Sequence, residues 1–204
     1  MSIALAMLDG SSWDRAWDTL RLVLKEAPAY LFSEIHFCAP THKCIYDKRV
    51  MQHIAPITYG NRKAYSDYVL FELPKLVKSD HMLIVHRDGR PLHWDKWTDE
   101  FLRWDFCGAP WGPEPWAVGN GGFSIRSKRF ADWAALQGPM EGTENEDWHL
   151  CVHLREKAIS AGFTYAPLEV AARFSLETFV PGVSKPLSET FGFHGVADRM
   201  NLLL

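Results

Sequence analysis

The sequence predicts a single Rossmann-like α/β domain, a mainly parallel but mixed sheet with helices on both faces in a three-layer sandwich. Three observations carry that expectation. Short apolar runs alternate with amphipathic stretches through the first 90 residues, the pattern of strands joined by crossover helices. A chain of 204 residues suits one core better than two. Hydrophobic residues make up 47% and charged residues 23%, ordinary for a folded globular chain and unlike a disordered one.

The elements follow in chain order. Ile3–Met7 is a buried strand opening into a loop at Asp9-Gly10. Ser12 can cap a helix whose apolar positions Trp13, Ala16, Trp17, Leu20, Val23 and Leu24 recur every three or four residues, and Pro28 ends it. Glu34–Ala39 is a second strand, closed by Pro40, and His53–Tyr59 a weaker third. A helix starts at Asn61 and runs through Tyr65, Tyr68, Val69, Leu73 and Leu76. His81–Val85 is a fourth strand, stopping at His86-Arg87-Asp88-Gly89. Phe101, Trp104 and Phe106 belong to a short helix and strand, and residues 117–127 are too glycine-rich for a plain strand. Glu146–Ala161 reads as a helix with Leu150, His153, Leu154 and Ala158 on one face. Phe163–Phe174 reads as a strand region, followed by a mobile polar stretch around Pro181, Gly182 and Pro186. In open α/β sheets ligands bind beyond the carboxyl ends of the strands, which points at Asp9 and the His86–Gly89 turn.

Composition removes several function classes. A formal charge of −3 gives no global basic field. The longest apolar run, Ile3 to Leu8, falls far short of the ~20 residues of a membrane span. It also lacks the basic segment of a signal peptide. Cys38, Cys44, Cys107 and Cys151 form no CxxC pair, which favours free thiols, so a cytoplasmic protein without a membrane partner is expected. Charge is nevertheless uneven. The segment from Pro40 to Lys63 carries net +4, with Lys43, Lys48, Arg49, Arg62 and Lys63 against Asp47. The segment from Pro139 to Cys151 carries −4 from Glu141, Glu144, Glu146 and Asp147.

Several residues could carry chemistry. His86-Arg87-Asp88 spells a kinase catalytic-loop triplet, but His93 stands where the motif needs Asn and no DFG follows. A plain Asp-Gly turn is one reading; a metal site is another. An imidazole and a carboxylate two residues apart at a strand end can face one divalent cation, and Mg²⁺ or Mn²⁺ so held keeps positions open for phosphates. Gly119-Asn120-Gly121-Gly122 lacks dinucleotide-fingerprint spacing; its glycines serve a close backbone approach to a ligand, or a bulge. Glu146-Asp147 opens a helix, so it either favours the helix dipole or supplies a general base. His149 and His153 have the i, i+4 spacing of a zinc pair, without the adjacent Glu of a metalloprotease. His194 lies between glycines and phenylalanines, suited to closing over a ligand.

The segments Met82–Gly89, Gly108-Ala109-Pro110-Trp111, Val118–Ser127, Glu146-Asp147 and Phe191–Gly195 occur in this order. Together they resemble a family of glycosyltransferase-like proteins with a GT-A fold, distantly similar to the β-1,4-galactosyltransferases, over about Tyr65 to Gly195. The resemblance implies one glycosyltransferase domain over 1–204, with residues 1–90 the nucleotide-binding half and 91–204 the acceptor and catalytic half. It places His86-Arg87-Asp88 at the metal-binding DxD motif, with Asp88 matching the second acid and His86 replacing the first. His194 matches the late histidine of the metal site. Asp147 matches the catalytic base, with Glu146 beside it in the acidic pair. Asp9, Arg62, Asp88, Gly121 and Gly122 are the expected donor-binding residues.

The implied activity is metal-dependent, inverting transfer from a nucleotide sugar, a UDP-hexose, to an acceptor hydroxyl, with Mn²⁺ or Mg²⁺ as cofactor. The acceptor is a carbohydrate or, given the +4 segment with Tyr46 and Tyr59 interleaved and Tyr65 just beyond, the hydroxymethyl group of a modified pyrimidine in DNA. A metal-dependent hydrolase built on His86, Asp88, His149 and His153 is the rival enzyme. A carbohydrate-binding module stacking its tryptophans on sugars is the non-catalytic rival.

Overall fold

In the computed structural model, residues 1–140 and 145–195 are described; Glu141 and Glu144 of the acidic segment lie outside them. The first strand, β1 (Ile3–Leu8), is buried along its whole length. Its side chains alternate between two apolar layers. Ile3, Leu5 and Met7 join one cluster, and Ala4, Ala6 and Leu8 join another. A strand whose two faces are both apolar must be covered on both sides. Helix α1 (Trp13–Glu26) covers the first face with Ala16, Leu20 and Val23. The Ser12 hydroxyl caps nothing there; instead the Asp9 carboxylate accepts from the Ser12 N–H at 2.8 Å.

Strand β2 (Glu34–Ala39) pairs with β1 in parallel, and β3 (Val50–Ile54) pairs with β2 in parallel. The third strand therefore lies earlier than the expected His53–Tyr59, because Pro56 has no N–H for a ladder. Helix α2 (Arg62–Asp67) continues through a π-helical turn, Tyr68–Glu72, into α3 (Leu73–Leu76). Asn61 caps it by accepting from the Ala64 N–H at 3.0 Å. The widened turn precedes Pro74, which has no N–H to offer the preceding turn. Tyr68, Val69 and Leu73 cover the second face of the sheet.

Strand β4 (His81–Val85) lies parallel to β1, and a tight hairpin at His86–Gly89 leads into β5 (Gly89–Pro91). Beyond two short 3₁₀ turns, β6 (Phe106–Cys107) and β7 (Ser124–Ser127) complete a six-stranded sheet of order β3-β2-β1-β4-β7-β6. Strand β7 is antiparallel to both its neighbours, so the sheet is mixed. Helix α4 (Lys128–Ala135) follows.

Two corrections to the sequence reading fall in the last third. The expected single helix from Glu146 is α5 (Glu146–Trp148), a π-helical turn at His149–His153, and α6 (Arg155–Ser160). The wide turn rotates the register, so Cys151 joins Leu150 and Ala158 in the core while His153 is exposed. The expected strand at Phe163–Phe174 is mostly helix α7 (Leu168–Phe174), with Pro167 at its N-cap. Val170, Ala171 and Phe174 are buried at helical spacing. Strands β8 (Ser175–Leu176) and β9 (Gly192–His194) join β5 in a small sheet of order β5-β9-β8.

The aromatic load is largely core. Phe101, Phe123, Phe174 and Phe191 pack beneath the small sheet, with Phe123 and Phe174 stacked at 4.8 Å. This cluster joins the small sheet to the large one and so fixes where His194 sits.

Candidate functional site

The carboxyl ends of β1 and β4 open onto a cleft of about 370 Å³ lined from both halves of the chain, from Asp9 and Arg62 to Asp147 and His194. Its centre is built by the hairpin after β4. The His86 N–H donates to the Gly89 carbonyl at 2.9 Å, and the Gly89 N–H returns the bond at 3.2 Å. Strand β9 pairs with β5 so that His194 stands opposite Gly89, and the Gly195 N–H donates to the Asp88 carbonyl at 2.8 Å. His86, Asp88 and His194 thereby present ligand atoms within 4.8 Å of one another. The sequence reading placed His86 and Asp88 on one side of an extended chain; a reversed turn brings them together instead.

The donor set fits a divalent cation. Two imidazoles and one carboxylate suit Mn²⁺ and its first-row neighbours. Gly122 makes room for the cluster, since a Cβ there would overlap His194 Nε2. Both histidines are held from behind, as ligating imidazoles usually are. Tyr65 Oη lies 2.6 Å from His86 Nε2, and Glu177 Oε1 lies 3.0 Å from His194 Nδ1. Burial pushes His86 down to about 3, reinforced by His194, so this ring is neutral. Burial also opposes charge on His194, but the carboxylates of Glu177, Asp88 and Asp147 outweigh it and lift its pKa. Among the described residues, these three side chains are the group close enough to share an ion. The hydrolase set with His149 and His153 is not assembled: His149 is buried in the π-helical turn and His153 is exposed.

The acidic pair splits into two environments. Glu146 is 2% exposed and its Oε1 accepts from Arg126 Nη2 at 3.0 Å. Its other oxygen lies 3.4 Å from the Ser66 hydroxyl. Gly121 is the condition for this pair, because a Cβ there would collide with Glu146 Oε1. Burial raises the Glu146 pKa, and Asp147 adds to the effect against the pull of Arg126. Glu146 therefore lines the floor of the cleft as a buried carboxyl tied to Arg126. Asp147 is half-buried and faces the cleft. Its Oδ2 accepts from the Gly121 N–H at 2.8 Å and its Oδ1 from the Trp148 N–H at 2.8 Å. Two backbone donors orient this carboxylate and leave each oxygen a further lone pair.

The remaining expected residues divide. Asp9 lines the cleft but is occupied. Its Oδ1 accepts from the Ser11 and Ser12 N–H groups, and its Oδ2 pairs with Arg87 Nε at 3.2 Å. Arg62 is exposed on the rim, next to Tyr59, which is 81% exposed. The basic segment is partly neutralised. Lys43, Arg49 and Lys63 pair with Asp14, Asp47 and Asp67. Lys48 and Arg62 make no ion pair with a described residue.

Sequence reasoning missed Glu177, Arg126 and Arg87 as site residues. A sequence signal existed for Arg87, inside the motif; Glu177 sits in a polar stretch with none. No helix among the described residues is long and apolar enough to cross a membrane.

The family model described as Protein of unknown function (DUF5672) matches residues 51–194, and the chain belongs to that family. The matched span holds every residue of the His86–Asp88–His194 group and the Glu146-Asp147 pair, and it excludes Asp9. No curated protein matches the chain.

Proposed function

We propose that this member of the DUF5672 family is a cation-dependent transferase that moves a hexose from a nucleotide sugar to an acceptor hydroxyl with inversion. The observation that carries the reading is the His86–Asp88–His194 group facing an oriented, half-buried Asp147 across one cleft. A divalent cation held there would offset the diphosphate charge and stabilise the leaving nucleotide. Arg62 on the rim adds a positive charge for the same group, and Arg87, steadied by Asp9, adds another. Asp147 takes the proton of the acceptor hydroxyl as that oxygen attacks the anomeric carbon. The oxygen forms one bond to that carbon as the bond to the nucleotide breaks on the opposite face, so configuration inverts. Trp148, 44% exposed, stacks on Trp111 at 5.9 Å beside Asp147 and offers an apolar face to an acceptor ring.

A carbohydrate is the favoured acceptor. Ion pairing of Lys43 and Lys63 with Asp14 and Asp67 halves the charge of the segment from Pro40 to Lys63, which weakens its case as a contact for a DNA backbone. The test is a thermal-shift panel of nucleotide sugars with and without Mn²⁺, followed by turnover with sugar acceptors and with hydroxymethylcytosine-containing DNA. A donor at 100 times its Kd should stabilise the fold by about 2.7 kcal/mol. That stabilisation should require Mn²⁺ and vanish in Asp88→Ala. Equal stabilisation without metal, or in Asp88→Ala, refutes the cation role. A glycosylated nucleoside in the digested DNA would move the acceptor to the nucleobase.

A further inference from the structure

Two side chains compete for one nitrogen of His194. Glu177 Oε1 lies 3.0 Å from Nδ1, and Asn120 Nδ2 lies 3.2 Å from the same atom. The orientation of the Asn120 amide is set independently, because its Oδ1 accepts from the Phe123 N–H at 3.1 Å. Its NH₂ therefore faces the ring. A carboxylate can only accept and this NH₂ can only donate, so the two partners demand opposite tautomers of a neutral imidazole.

The choice matters at the other end of the ring. Nε2 lies against Gly122 and 4.0 Å from Asp88 Oδ1. A proton on Nδ1 leaves the Nε2 lone pair facing Asp88 and His86. A proton on Nε2 would turn an N–H toward the same space and exclude a cation.

We propose that Glu177 is a positioning residue that holds His194 in its Nδ1–H tautomer against Asn120, and so makes Nε2 a ligand for a divalent cation. The inference rests on the cation site described above. Glu177 prevails because a charge-assisted hydrogen bond is roughly twice as strong as a neutral one. It is also steadied from its far side, where Oε2 accepts from Trp111 Nε1 at 3.2 Å. Trp111 makes the neutral replacement informative. Its indole is a donor only, so in Glu177→Gln the amide oxygen turns to Trp111 and the amide NH₂ turns to His194. Both neighbours of Nδ1 would then be donors, and the proton moves to Nε2.

The experiment measures Mn²⁺ binding by calorimetry on the nucleotide-free protein at pH 8, and reads the His194 tautomer from imidazole ¹⁵N shifts without metal. The wild-type ring should carry its proton on Nδ1. Glu177→Gln should bind Mn²⁺ about 10–100-fold more weakly, the usual cost of losing the partner behind a ligating histidine, at an unchanged melting temperature. Its ring should carry the proton on Nε2. Adding Asn120→Asp supplies a carboxylate oxygen at the competing position and should restore both the Nδ1–H ring and most of the lost affinity. Unchanged Mn²⁺ affinity in Glu177→Gln, or no recovery in the double variant, overturns the proposal. If Glu177→Gln fails to fold, the wild-type spectrum decides, and an Nε2–H ring there refutes it. Failure of the cation site itself looks different: wild type would bind Mn²⁺ no better than Asp88→Ala, whatever tautomer the ring shows.

Discussion

Replacing Arg126 by Met should separate the buried acid, Glu146, from the proposed base, Asp147. Arg126 and Glu146 are both 3% exposed in their side chains and meet at 3.0 Å. Arg126 Nε also donates to Ser124 Oγ at 3.2 Å, and Glu146 is bound from its own backbone N–H to Ser66 Oγ at 3.1 Å. Removing one partner of such a buried pair leaves an uncompensated charge and costs about 3–5 kcal/mol. For a chain of this size that lowers the melting temperature by roughly 6–20 °C. The deficit should depend on pH in a fixed direction. Burial already raises the Glu146 pKa, and loss of Arg126 removes the cation that opposes the rise. A carboxyl with its folded pKa raised costs stability above the unfolded value, and the cost fades as pH falls through the folded pKa. Urea unfolding of Arg126→Met against wild type should therefore show the full deficit at pH 8 and a smaller one at pH 5. A deficit below about 1 kcal/mol at pH 8, the scale of an exposed pair, or one that does not change with pH, would refute the buried-ion account of Glu146.

The same separation predicts activity. Asp147→Asn should keep Mn²⁺-dependent donor binding and lose transfer by about 10²–10⁴-fold, measured as the rate of product formation at saturating donor; near-normal turnover would remove Asp147 from the proposed reacting atoms. Gly122→Ala puts a Cβ onto His194 Nε2, so calorimetry should show Mn²⁺ binding lost while far-UV circular dichroism stays native. Far from the cleft, His36 Nδ1 and His53 Nε2 lie 3.0 Å apart, with Glu34 beyond, and burial lowers both histidine pKa values. Unfolded imidazoles take a proton near pH ~6.5 while these resist, so stability is full above that pH and falls below it. The melting temperature should drop from pH 7.5 to 5.5, and by less in His53→Gln; an equal drop in both would exclude the pair as the cause.

The parts of the fold legible in the sequence are those where one local pattern meets no competitor. Glu34–Ala39 and His81–Val85 form strands at the expected bounds because each is a short apolar run stopped by a proline or a polar turn. The failures have two causes. The strand region expected at Phe163–Phe174 is mostly helix. The deciding signal was Pro167 at the N-cap, followed by Val170, Ala171 and Phe174 at helical spacing. At Tyr68–Glu72 and His149–His153 the chain inserts π-helical turns, and an unbroken period of 3.6 cannot report an extra residue in a turn.

The site was legible as a set of residues but not as a geometry. His86, Asp88 and His194 could be named from motif order, yet what joins them is the pairing of β5 with β9 across more than a hundred residues of chain. Glu146 and Asp147 are adjacent in sequence and chemically alike, so no local rule could divide them. The division comes from Arg126 on β7 and Ser66 on α2, which claim one carboxylate, and from the Gly121 and Trp148 N–H groups, which orient the other. Glu177 shows the limit most clearly. A glutamate in a polar stretch carries no signal of its own, and its meaning lies in the two ring nitrogens that converge on it, Trp111 Nε1 and His194 Nδ1. Side chains that act directly on a ligand can be recognised by type and spacing, whereas those that hold them in place become visible only where distant strands and loops are brought together.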